Sequence, residues 1–445
     1  MAFYRKVYRL TITLDAPLSI GSGANENTDK DVIVDNTGAP FIPASSLAGV
    51  LRSYVATASG TAAANAVFGY IPDSREAVKK AAAGDAAYAE RECLVRIYDG
   101  LFDETTGGFI TNRDMVALKD KVGIDGAKFD MEAVETGARF TSYIEALQET
   151  AAAKDDGERT IRVTEELEAA LAALNEGRIR LGTKTSRGYG KVTLTVKAFV
   201  LTDAAAWIDF DMMDADWNGA DDLTLRQSAD APLTLGLRLK GGVSIREYTT
   251  EPSTDTETMP DYRQLALHVN GADGTPVPVI PGTSWAGAIR ARFLELSGYD
   301  KAELETLFGF VHQPKADGDD NVQKSIIVFS ESKLIGGVWK TTTRNAIDRF
   351  SGATKDGALY TEKTYYGGTT ELSVSFRKTP TARQKTLLCA CFADLHNGFL
   401  AVGGLTSVGR GLFEICSVNG RALPEEERQP ERIFETLKKE VGLNG

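Results

Sequence analysis

The chain carries two copies of one ordered set of short strings, and this constrains its fold more than any single motif does. Residues 42–52 read IPASSLAGVLR and residues 280–290 read IPGTSWAGAIR, 238 positions apart. Residues 181–191 read LGTKTSRGYGK and residues 402–412 read VGGLTSVGRGL, 221 positions apart. Between them, VFG at 67–69 is matched by LFG at 307–309. LSIGSG from Leu18 resembles LKGGVS from Leu239, and Asn112, Arg113 and Asp114 loosely match Asn345, Asp348 and Arg349. The order is the same in both halves, and the offset changes only where loops can lengthen. A duplicated module follows, not one domain of 445 residues.

Each half opens on a strand pattern. Tyr8, Leu10, Ile12 and Leu14 alternate with Arg9, Thr11 and Thr13, and Leu223, Leu225 and then Leu233 to Leu239 read similarly. Strands are expected again after the glycine-rich loops, through Val192, Leu194, Val196 and Ala198, and through Phe413, Ile415 and Ser417. Ser45 or Ser46 can cap a helix whose face is Leu47, Val50 and Leu51, and Ser284 repeats the arrangement. Further helices are expected at 74–83, 164–175 and 300–308. This order of strands and helices indicates an α+β fold, with a split β-α-β unit on an antiparallel sheet. The first module spans 1–202, the second 223–420, and 421–445 is a C-terminal tail. Between the modules, 203–222 is an acidic linker holding Asp203, Asp209, Asp211, Asp214, Asp216, Asp221 and Asp222 and no Lys or Arg. Its Trp207, Phe210, Met212, Met213 and Trp217 suggest that part of it docks on a surface.

Composition removes several classes. Four cysteines without a CxxC pair exclude a disulfide scaffold and a zinc ribbon. His268, His312 and His396 all lie in the second half without metal-ligand spacing. The N-terminus lacks a signal core and no run of eighteen apolar residues occurs, so a cytoplasmic protein with no membrane partner is expected. The 62 acidic and 50 basic residues, net −12, argue against a nonspecific nucleic-acid binder but leave room for a local basic groove.

The chemistry-bearing residues fall in the repeated strings. Ser45, Ser46 and Arg52, and Thr283, Ser284 and Arg290, stand where helix-terminal amides can meet a phosphate. Lys184, Thr185, Ser186, Arg187 and Tyr189 join hydroxyls, cations and a ring to glycines that let a backbone approach a polyanion. Tyr189 can stack on a base or pack in the core. The second copy keeps Thr406, Ser407 and Arg410. Asp29, Asp31 and Asp35 cluster before the first IPASS string and can hold Mg²⁺ through water or form a solvated turn. The second half offers Asp255, Glu257 and Asp261, followed by Gln264 and His268.

Taken together, the IGSG segment, acidic loop, IPASSLAGVLR, VFG turn, NRD segment and GTKTSRGYG loop resemble the backbone subunits of type III CRISPR effector complexes, members of the RAMP family. The resemblance covers most of 5–200 and recurs over about 223–418, as two fused subunits. It implies two tandem modified ferredoxin-like, RRM-like modules with thumb-like hairpin insertions at about 85–165 and 310–368. It implies a guide RNA lying along the glycine-rich loops and IPxSS helices, and small helical and other RAMP subunits as partners. It also implies metal-dependent cleavage of guide-paired target RNA, with Mg²⁺ or Mn²⁺, giving a 2′,3′-cyclic phosphate and a 5′-hydroxyl. The family's aspartate falls on Asp29, with Asp31 next; in the second copy Asp261 lies nearest, and Gln264 is the other position. Competing expectations are a structural RNA-binding subunit, a guide-precursor processing nuclease and a protein-interaction module without RNA.

Overall fold

The computed structural model describes residues 5–21, 31–72, 74–84, 90–106, 110–119, 122–154, 159–225, 232–248, 260–270, 276–311 and 322–441. The chain divides into two compact units, Met1–Thr185 with Tyr189–Ala231, and Ser186–Gly188 with Pro232–Gly445.

In the first unit, β1 (Arg5–Leu14) leads to α1 (Ala44–Ala58) and α2 (Thr61–Phe68). There follow β2 (Val95–Ile97), a hairpin of β3 (Ile110–Lys119) and β4 (Val122–Val134), then β5 (Arg139–Ala146), α3 (Val163–Asn175) and β6 (Val192–Leu201). The sheet runs β6-β1-β5-β2 with every pair antiparallel. Without the hairpin this is β-α-β-β-α-β with strand order 4-1-3-2, the ferredoxin-like arrangement. Tyr8, Leu10, Ile12 and Leu14 are buried with Leu47, Leu51 and Val55 of α1 and Leu167, Leu171 and Leu174 of α3. Period-2 strands and period-3.6 helices thus present one apolar face each to a shared core. Each such aliphatic side chain contributes about 1.5–3 kcal/mol on burial.

The second unit repeats the order with β8 (Leu233–Lys240), α4 (Gly282–Leu296) and α5 (Lys301–Phe308). Next come β11 (Ile327–Phe329), the hairpin β12 (Val338–Ile347) and β13 (Thr354–Tyr366), then β14 (Thr369–Phe376), α6 (Ala382–Asn397) and β15 (Leu412–Val418). Its sheet order β15-β8-β14-β11 is again 4-1-3-2 and antiparallel. Three shorter strands belong to the numbering: β7 (Asp221–Asp222), on the edge of β6, and β9 (Arg246–Tyr248) and β10 (Tyr262–Gln264), beside β13.

Several expectations change. The spans 85–165 and 310–368 contain the sheet strands β2, β5 and β11, so the inserted hairpins are only 110–134 and 338–366. Three-residue strands are too short to show a period. Leu223 and Leu225 pack on the first core, and the second module's first sheet strand begins at Leu233. The residues read as a tail include α7 (Ile433–Glu440), whose Ile433 and Leu437 are in the second core. Asn112 lies near the base of its hairpin and Asn345 near the far end of the other, so the NRD match is not a structural one.

The first strands align differently as well. Leu14 faces Val192, and Leu239 faces Phe413, 221 positions on from Val192. Leu14 therefore corresponds to Leu239, an offset of 225. Leu18 corresponds to Val243, not to Leu239.

The linker does dock. Trp217 is buried against Phe199 and Tyr143, with ring centroids at 5.1 and 5.8 Å, and Phe210 meets Phe199 at 5.4 Å. Asp203, Asp211 and Asp216 accept bonds from the amides of Ala206, Met213 and Asn218, so part of its acidity makes local turns.

Candidate nucleic-acid interface

The two glycine-rich loops have one backbone. Lys184 and Leu405 both sit at positive φ, +55° and +56°, and each precedes a one-turn 3₁₀ helix, Thr185–Arg187 and Thr406–Val408. The Ser19 carbonyl accepts the Thr183 amide at 2.8 Å, and the Ser244 carbonyl accepts Gly404 at 2.7 Å. Gly190 and Gly411 have φ of +72° and +74°, and a Cβ on either would collide with the carbonyl of Leu181 or Val402. These are positions only glycine fits. The turns leave Arg187, Thr406 and Ser407 exposed and Lys184, Thr185 and Ser186 half-buried.

Two loop side chains are not at the surface. Tyr189 is buried with Met131 and Ala133, which removes its ring from base stacking. Arg410 is buried in an ion pair with Glu362, so it is not a surface phosphate contact. Reversing its charge would attack the fold before it reached any RNA.

Neither IPxSS-type helix is capped by its serine. The N-caps are Pro43 and Pro281, without side-chain cap bonds, and Ser45, Ser46, Thr283 and Ser284 lie inside the first turn. In the first unit the free amide of Ala44 is taken by Asp99 Oδ1 at 2.6 Å, so a carboxylate stands where a phosphate was expected. Ser45, Gly49 and Arg52 line a pocket of about 300 Å³ with Phe68 and Cys93. Arg52 donates to the Gly69 carbonyl at 2.5 Å and to Asn65 at 2.6 Å, which braces α1 against α2. Its counterpart Arg290 is exposed.

Asp29 lies outside the described residues. Asp31 is half-buried beside a bridge that joins Gly21 to Val32. Ile33 donates to the Ile20 carbonyl at 2.8 Å, and Val32 donates to Glu132 of β4 at 2.9 Å. Asp35 is spent on a turn: its Oδ1 accepts the Thr37 hydroxyl and the amides of Thr37 and Ala39. Those bonds, the Thr37 hydroxyl first, hold its carboxyl below the usual range. Among the described residues no three His, Cys, Asp or Glu groups converge as a metal site. They therefore do not fit a metal centre by themselves.

In the second unit Leu265 donates to the Ile245 carbonyl at 2.8 Å, the same bond that Ile33 makes to Ile20. Four residues before Ile33 is Asp29, and four before Leu265 is Asp261. The register so pairs Val32 with Gln264, and Asp29 and Asp261 correspond by count along the sequence. Gln264 is buried, accepts from Ile245, and donates to the carbonyls of Leu265 and Val279, a structural amide with both N–H donors spent. Asp261 is exposed and clasped to β13: its amide donates to the Thr361 carbonyl at 2.9 Å, and Thr361 donates to its Oδ2 at 2.6 Å.

Next to it is a cluster the sequence did not disclose. Glu362 is fully buried, accepts from Arg410 and from the Tyr262 hydroxyl at 3.2 Å, and is ion-paired with Arg344 at 3.4 Å. Arg246 lies over the Tyr262 ring at 4.2 Å, and the Tyr360 ring stacks with it at 6.1 Å. Burial pushes the Tyr262 phenol up, and the Arg246 guanidinium opposes that. The only sequence hint was a glutamate at the same strand parity as Thr364, too weak to single out.

A family model for the RAMP superfamily matches residues 11–193 and 266–414. No curated protein matches the chain. Among the described residues no helix is long and apolar enough to cross a membrane. The first matched region runs from within β1 to the start of β6, the second from ahead of α4 to the start of β15 without β8, and each includes a glycine-rich loop; RAMP proteins are CRISPR-associated RNA-binding proteins. The chain belongs to the RAMP superfamily and carries two of its modules.

Proposed function

We propose that the protein is a double backbone subunit of a type III CRISPR effector complex, which binds guide RNA and cleaves the guide-paired target once per module. The observation that carries this is the paired position of Asp29 and Asp261, four residues before matching hydrogen bonds in two copies of one fold. Exposed Arg187, Arg290, Thr406 and Ser407, with Lys184, supply phosphate contacts, which carry little base information. Sequence is read by guide–target pairing. Other RAMP and small helical subunits complete the assembly.

In the proposed reaction the target's 2′-hydroxyl attacks the adjacent phosphorus. The bond to O5′ breaks and its electron pair leaves on that oxygen, which takes a proton. The products are a 2′,3′-cyclic phosphate and a 5′-hydroxyl. An aspartate at each loop orients the attacking hydroxyl or accepts its proton, and alignment of attack is the larger contribution. A divalent ion, Mg²⁺ or Mn²⁺, belongs to the same proposal. The described carboxylates do not form its site, and no step is derived through it.

The test is an end-labelled complementary RNA cut by the assembled complex and resolved to single nucleotides. Asp29→Ala should remove one product and Asp261→Ala another, with guide binding unchanged; Asp31→Ala should remove none. Chelation should stop both. The bond from Thr361 to Asp261 favours one competing reading, a second loop that is structural and does not cut. A single product from the wild-type complex, lost in Asp29→Ala, decides for that reading.

A further inference from the structure

The loop-to-hairpin contact is built from different chemistry in the two units. Leu18 bridges Val134, and its counterpart Val243 pairs with Tyr365. Counting three back along each return strand places Met131 opposite Glu362. Tyr189 and Arg410 correspond at an offset of 221. The first unit thus closes this contact with Tyr189 on Met131, and the second closes it with Arg410 on Glu362. The ionic version reaches further than the apolar one. Glu362 Oε2 also accepts the Tyr262 hydroxyl, and Tyr262 follows Asp261 in the chain. Thr361, which precedes Glu362, holds Asp261 through both of its backbone groups. Tyr262 and Glu362 are register partners in the parallel pair of β10 and β13.

We propose that Glu362 is the positioning residue of the second cleavage loop, tying the glycine-rich loop through Arg410, the hairpin through Arg344, and the Asp261 loop through Tyr262. This rests on the reading of Asp261 as the residue that cuts in the second module. Glu362 is fully buried and does not touch RNA; it acts by fixing Tyr262 and, through β13, Asp261. A fixed carboxylate matters because small misplacements at a reacting centre cost orders of magnitude in rate. In the first module uncharged Met131 and Tyr189 stand at the positions of Glu362 and Arg410, so its cleavage does not run through this ion pair and serves as an internal control in the same chain.

The experiment imports the first unit's pair into the second, as Glu362→Met with Arg410→Tyr, in the full chain assembled with guide and other subunits. Packing is kept and the link to Tyr262 is lost. The second product should form roughly ten- to a hundredfold more slowly, with the KM for target unchanged and the first product at its normal rate. Tyr262→Phe, which removes one hydroxyl, should slow the second product alone, by a smaller factor. Glu362→Asp should retain part of the rate. A second product at the wild-type rate in both the swapped pair and Tyr262→Phe overturns the proposal, as does an equal loss of both products. If the swapped pair does not assemble, Tyr262→Phe decides alone. Asp261→Ala separates the two levels: if it leaves the second product intact, the reading of Asp261 fails, whatever Glu362 does.

Discussion

In the first unit the last glycine-rich loop meets the inserted hairpin through a tyrosine on a methionine; in the second, the same two positions hold a buried arginine and glutamate. The backbones around them agree, down to the positive φ at Lys184 and Leu405. The two copies therefore share the shape of the loop while the contact beneath it is apolar in one and ionic in the other. The two solutions differ in what they tolerate. An apolar contact loses area when trimmed, whereas a buried ion pair left with one member keeps an uncompensated charge.

The largest expected effect breaks the ionic contact. Arg410→Met should cost the second unit about 3–5 kcal/mol, because Glu362 stays buried without its main partner. Adding Glu362→Leu should return most of that loss. Tyr189→Ala should cost the first unit about 3 kcal/mol, with no partner change that restores it. Denaturant unfolding of the full chain, with hydrogen exchange on peptides from each unit, measures both. A Glu362→Leu addition that worsens Arg410→Met would show the contrast is wrong.

Where the backbones agree, the penalties should agree too. Gly190→Ala and Gly411→Ala each force a side chain into a left-handed turn against a carbonyl, and each should cost about 1–3 kcal/mol. Unequal losses, by the same exchange measurement, would mean that only one loop is held as described.

The IPxSS-type helices should diverge again. Arg52→Ala removes two hydrogen bonds that brace α1 to α2 and should cost about 1–2 kcal/mol. Arg290→Ala, at the exposed counterpart, should change stability by less than about 0.5 kcal/mol. It should instead weaken guide binding, with a shallower salt dependence. Thermal unfolding and filter binding across salt concentrations separate the two.

The smallest effect is a pH dependence confined to the second unit. Buried His396 accepts the Ile415 amide on Nδ1 and faces the Arg428 carbonyl with Nε2, which is the neutral ring protonated at Nε2. Burial holds its pKa below the ordinary value of 6.5, with the Arg428 bond opposing. The stabilisation is complete above about 6.5 and is lost as pH falls through the lowered folded value. Exchange should speed up there in peptides of α6 and β15, and His396→Gln should flatten the response. The first half has no histidine and should show no matching transition.

Much of the architecture was legible because it is written in local periodicity. Alternation marked β1, β6 and β15, and the 164–175 run marked α3 to within a residue. The helix 382–397 was missed although it carries a full capping box from Thr381 and Gln384 and ends on Gly398 at φ +83°. Its face mixes Cys389, Cys391 and His396 with Leu388 and Leu395, which dilutes the apolar stripe. Of the site, the loops and their glycines could be read, because positive φ has a residue signature. The fates of Ser45, Ser46, Tyr189 and Arg410 could not, because they depend on Asp99, Met131 and Glu362, which lie far away in sequence.

By itself, then, the sequence determined that there are two modules, what elements compose them and where their glycine-rich loops fall, since repeats and periods are properties of neighbours along a chain. The tertiary structure decided the register, moving the first-strand offset from 221 to 225 and pairing Ile33 with Leu265. It also decided which polar groups face solvent. Arg187 and Arg410 both follow the Thr-Ser pair of their glycine-rich string, one and three residues on, yet one is exposed and the other is buried on a glutamate 48 residues away. A charge is kept in the interior only where another part of the fold brings its partner, and that partner is set by packing rather than by spacing.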